Sequence, residues 1–143
     1  MIESVIKEII EALNQKELNA YRYFGQLSTP SEPELMQSKL PMILVDFVGD
    51  EAKGYERILY FNLYFVHISY SQNKDYRVQT QSTLISMLES AEDALFNIDT
   101  VLIQTKRGKK IYDAKIDKGY LTVFTREITA TITREESIKW IEQ

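Results

Sequence analysis

YERILYFNLYFVHISYS, residues 55–71, sets the plan of the whole chain. Leu59, Phe61, Leu63 and Phe65 alternate on one face, and Ile58, Tyr60, Tyr64, Val66 and Ile68 on the other, with Asn62 among them. Side chains of a strand point to opposite faces in turn, so this is a long β-strand. A strand with one wet face alternates apolar with polar. Here one face is apolar and the other aromatic and amphipathic, so both need covering. Before it, Leu40-Pro-Met-Ile-Leu-Val-Asp-Phe-Val48 reads as a strand over Met42–Val48, opened by Pro41, with Gly49-Asp50 and Gly54 as turn residues. After it, Leu84, Met87, Leu88, Ala91 and Leu95 recur at helical spacing and predict a helix over about Tyr76–Asn97.

Outward from this centre, Ile2, Val5, Ile6, Ile9 and Leu13 form the apolar stripe of an N-terminal amphipathic helix. Tyr21, Tyr23 and Phe24 suit a short strand. Two prolines make Ser28–Glu34 a loop, and Leu35–Lys39 reads as a short turn. The last third reads as strands: Thr100–Thr105, a turn or loop at Arg107-Gly-Lys-Lys110, a hairpin turn at Asp117-Lys-Gly119, and a threonine-rich strand over Tyr120–Arg134. Glu135–Gln143, with Trp140, reads as a short helix. Two apolar helix stripes and an antiparallel or mixed sheet are buried most simply as an α+β fold with both helices on one sheet face. Residues 1–143 read as a single domain.

The chain has 143 residues, 44% hydrophobic and 27% charged, enough to bury roughly two-thirds of its unfolded surface. Its net charge of −4 opposes nucleic-acid binding, which needs a basic face to neutralise phosphates. There is no cysteine, so disulfides, thiolate metal sites and cysteine nucleophiles are excluded. The N-terminus is apolar on one face only, unlike a signal peptide, and no run is long enough to cross a bilayer.

The sequence offers no catalytic constellation. His67 is the only histidine, and a catalytic or metal role would need partners that neither histidine nor cysteine supplies. Asp50-Glu51 and Glu135-Glu136 are adjacent pairs, poor geometry on a strand for sharing a proton or a metal, and Glu92-Asp93 reads as solvated helix charge. No phosphate-loop, calcium-loop or zinc-protease motif occurs. The expected catalytic, cofactor and metal residues are therefore none. Two features remain. Lys106, Arg107, Lys109 and Lys110 form a basic cluster that reads either as a solvated loop or as a site for phosphate or an acidic partner surface. Nine tyrosines include Tyr55, Tyr60, Tyr64 and Tyr70 in or beside the long strand. They read either as the rim of an ordinary core or as an interface, where tyrosine offers apolar area with a polar tip. On the second reading Tyr60, Tyr64, Val66 and Ile68 are the candidate subunit interface.

The order of these segments resembles the tail-terminator and minor tail (tail-completion) proteins of long-tailed bacteriophages, including those of Mu-like prophages. The resemblance rests on the helix starting at residue 2, on the Leu40–Val48 strand after a Pro-rich loop, on the long strand Ile58–Ser69, on Leu84 and Leu88 in the following helix, and on the closing strand ending Arg126-Glu-Ile-Thr-Ala-Thr-Ile132. It implies a non-enzymatic virion protein without cofactor, made in the host bacterial cytoplasm. Such a protein self-assembles as a ring, a hexamer, that caps the tail tube and contacts tail-tube and head-connector proteins. It has no membrane partner and no sequence-specific nucleic-acid partner. Lys106–Lys110 would be a charged loop at a face or lumen of the ring. The threonine-rich last strand and the length of chain after Arg134 depart from the family pattern. The alternative is a bacterial adaptor module that holds a peptide or small ligand on its aromatic strand.

Overall fold

The computed structural model describes residues 1–27, 39–70, 73–116 and 119–133. The element order is α1 (Ile2–Gln15), β1 (Ala20–Arg22), β2 (Met42–Lys53), β3 (Glu56–Ser69), α2 (Lys74–Phe96), β4 (Leu102–Ile116) and β5 (Gly119–Thr133). The strands form one mixed sheet in the order β1-β2-β3-β5-β4, in which only β1 and β2 run parallel. The expected α+β architecture, with two helices packed on one face of a mostly antiparallel sheet, is the one observed.

The helices cover the sheet face that carries Leu59, Phe61, Leu63 and Phe65. α1 lies over β1 and β2, and α2 over β3, β5 and β4. Val5, Ile6, Ile9 and Leu13 of α1 and Leu84, Met87, Ala91 and Leu95 of α2 join those residues, and Ile128, Ala130 and Ile132 of β5, in one core. α1 stops at a Schellman motif: the Leu18 amide reaches back to the Leu13 carbonyl, the Glu17 amide reaches the Asn14 carbonyl, and Glu17 takes the left-handed conformation at φ 59°. α2 starts at Asn73, whose side chain accepts from the Asp75 amide. In its polar opening Thr80 and Thr83 donate their hydroxyls to the carbonyls of Tyr76 and Gln79 one turn back, which satisfies these side chains within the helix.

A second, smaller core lies on the opposite face. Met42, Leu44, Val66, Ile68, Ile116, Leu121 and Val123 are buried there beneath Tyr21, Tyr23, Leu27 and Leu40. The described residues thus cover the second face at the end where β3 finishes. At the other end Ile58, Tyr60 and Asn62 stay half-buried.

Two expectations need correction. Gly49-Asp50 does not end β2. Gly49 follows a bulge at Val48, and pairing continues to Lys53, so the turn falls at Gly54-Tyr55, with Gly54 at φ 57°. A positive φ at the first of two loop residues suits glycine and closes a tight hairpin. Arg107-Gly-Lys-Lys110 is no loop either. It lies within β4, which pairs with β5 throughout and absorbs extra residues at bulges after Thr105 and after Lys110. Gln104–Ile111 are exposed on both faces, so no apolar alternation marks them as strand. Pairing of Ile116 with Gly119 places the β4–β5 hairpin where Asp117-Lys-Gly119 suggests it, although residues 117 and 118 lie outside the described residues. So do the Ser28–Glu34 loop, nearly all of the Leu35–Lys39 turn, and the tail from 134.

Candidate assembly surfaces

The two edges of the sheet are built differently. β1 is three residues long, and its outer edge is already occupied. The Ile43 amide bonds the Asn19 carbonyl, so the backbone groups of Ala20 point away from β2, and the Asn14 side chain takes both of them. Asn14 Oδ1 accepts from the Ala20 amide at 2.6 Å, and Nδ2 donates to the Ala20 carbonyl at 3.1 Å. At the other edge β4 runs for 15 residues, and among the described residues no strand pairs with its outer side.

The basic cluster lies on this open edge. Lys106, Arg107, Lys109 and Lys110 are all exposed. Lys110 pairs with Asp113 at 2.7 Å and Lys106 donates to Gln104, while Arg107 and Lys109 have no partner among the described residues. Arg126 of β5 braces the strand from inside. Its guanidinium donates to the Lys106 carbonyl at 2.9 Å, meets Glu92 of α2 at 3.1 Å, and lies so close to Gly108 that a Cβ there would fall 3.0 Å from it. Sequence reading missed both Asn14 and Arg126. The first looks like any helix-end asparagine, and the second is one arginine in an amphipathic strand.

The four candidate interface residues of β3 do not share one environment. Val66 and Ile68 are buried in the second core of this same chain. Tyr64 is half-buried, with its ring 5.0 Å from that of Tyr23 and its hydroxyl donating to Asp46 at 3.3 Å. Burial pushes the Asp46 carboxyl up from its ordinary value, against the lowering effect of that hydrogen bond. Tyr60 lies beyond the second core and donates to Glu51 at 2.8 Å, a bond that raises its phenol pKa. With Val48, Gly49, Asn62, Lys106, Arg107, Glu127 and Thr129 it lines an open groove of about 640 Å³ on the sheet face away from the helices.

His67 faces the helix layer near the start of α2, where Ser69, Tyr76, Gln79 and Thr80 surround the same cavity. Burial lowers its pKa, and its Nδ1 is buried with no hydrogen-bond partner among the described residues. Among the described residues no group of three or more histidine, aspartate or glutamate side chains could hold a metal ion, and no helix is long and apolar enough to cross a membrane.

Among the described residues, the chain is an α+β fold with one closed sheet edge, one open basic edge and a second face covered at the Val66 end. A scan against protein-family models finds no match for the chain, and a search of curated proteins finds none.

Proposed function

We propose that this chain is a structural protein of a phage or prophage tail, forming a ring that terminates the tail tube and contacts the head connector. The observation that carries the reading is the open edge of β4 beside the half-covered face at Tyr60. An unpaired edge presents a row of free amides and carbonyls, and a half-buried aromatic face keeps apolar area in water. A neighbouring chain relieves both. The place of that chain in a tail comes from the resemblance of the Leu40–Val48, Ile58–Ser69 and Arg126–Ile132 segments to tail-completion proteins.

The adaptor reading keeps one observation in its favour, the open groove at Tyr60. A ligand site on the aromatic strand would draw on Tyr60, Tyr64 and Ile68 together, whereas Tyr64 and Ile68 are not in the lining of that groove. The ring is therefore the reading adopted. Electron microscopy of the purified protein with a tail-tube protein tests it. Rings seated on tube ends are the expected result, and a protein that neither forms rings nor binds tubes would contradict it.

A further inference from the structure

Charge is distributed unevenly along this chain. β4 holds five of the 17 basic residues and one of the 21 acids, so the strand is net +4 while the remainder is net −8. Much of the compensating negative charge is on the helix layer. Glu8 and Glu11 of α1 and Asp99 after α2 line a groove of about 340 Å³ between the two helices, with Lys16 the only cation in its lining. α2 ends at this groove with no basic residue in its last turn, so the negative end of its dipole adds to the carboxylates, whereas Lys16, the C-cap of α1, offsets that of α1. Each surface has an exposed apolar residue alongside: Ile111 on β4, and Phe96, 84% exposed, next to the groove residue Asn97.

We infer that the basic outer edge of β4 in one copy docks against the acid-lined α1–α2 groove of the next, making a head-to-tail contact between copies of this chain. The occupant is a second copy because the complementary surface is on the chain itself. The two surfaces are different, so the contact is heterologous, the type that closes into a ring when the rotation allows. Lysines on an edge oppose strand pairing between two like edges. They favour a negative surface instead, which is how the same residues both block sheet extension and select a partner. The inference deepens the ring reading and rests on it.

Charge exchange between two variants tests the contact. In one, Lys106→Glu, Arg107→Glu and Lys109→Glu reverse the edge. In the other, Glu11→Lys and Asp99→Lys reverse the groove. All five side chains are exposed. Each variant alone is expected to lose assembly at concentrations where the wild type assembles, with unchanged far-UV circular dichroism, and an equimolar mixture is expected to regain it as an alternating ring. Variants that assemble as the wild type does, or a mixture of folded variants that stays dissociated, would overturn the docking while leaving the ring reading in place. A wild type that never assembles would overturn the ring reading itself. Independently of any substitution, raising salt from about 0.05 M to about 0.5 M should move the wild-type assembly midpoint about tenfold upward in concentration. An unmoved midpoint would also overturn the docking.

Discussion

At the residue scale, two positions carry consequences that a stability measurement can read. Burial holds His67 neutral and lowers its pKa below that of an unfolded histidine. Between the two values the unfolded chain binds more protons, so stability is intact above about pH 6.5 and is lost as pH falls towards the folded pKa. His67→Gln is expected to flatten that part of the profile, and thermal unfolding of both proteins at several pH values from neutral to mildly acidic checks it. An unchanged acid slope would remove His67 from the account. Gly119 is the second position. A Cβ there would run into the Ser69 carbonyl on β3, and a strand carbonyl has little room to retreat. Gly119→Ala should cost about 1–3 kcal/mol, read from urea unfolding.

At the element scale, the structure explains where the sequence is legible and where it is not. The long strand and both helices stand out because burial on defined faces imposes a period: Phe61 and Phe65 two strand repeats apart, Val5, Ile9 and Leu13 one helical turn apart. Phe65→Ala should accordingly cost about 3–5 kcal/mol. β4 leaves no such trace. Gln104–Ile111 meet water on both faces, its two bulges break what alternation remains, and its strand state is imposed by pairing with β5. The basic cluster is legible in the order of residues 106–110, whereas its position on a sheet edge is not. Nor could periodicity show that Val66 and Ile68 are covered by the chain's own Tyr21–Leu27 stretch and Leu40. Helix ends depend on single residues and offer their own checks. Glu17 holds the left-handed position at the end of α1 that glycine takes without steric cost, so Glu17→Gly should stabilise by up to about 1 kcal/mol in thermal unfolding. Asn14→Ala would uncap both backbone groups of Ala20, and faster hydrogen exchange of the Ala20 amide is the expected sign.

At the scale of the whole molecule, the two edges and the two faces of the sheet are unlike. Among the described residues, one sheet edge is short and closed by Asn14, and the other is long, basic and open. Among these residues, one sheet face is covered by helices and the other is covered at its Val66 end. Head-to-tail docking of the kind inferred above would give rings or filaments, because its two contact surfaces differ. A ring of this kind would be a defined higher oligomer. Light scattering coupled to size exclusion, run on the wild-type protein over a wide range of concentrations, tests it most directly. A ring-forming chain should rise with concentration from 16.7 kDa to a single plateau near six times that mass. A mass of 16.7 kDa at every concentration would contradict it.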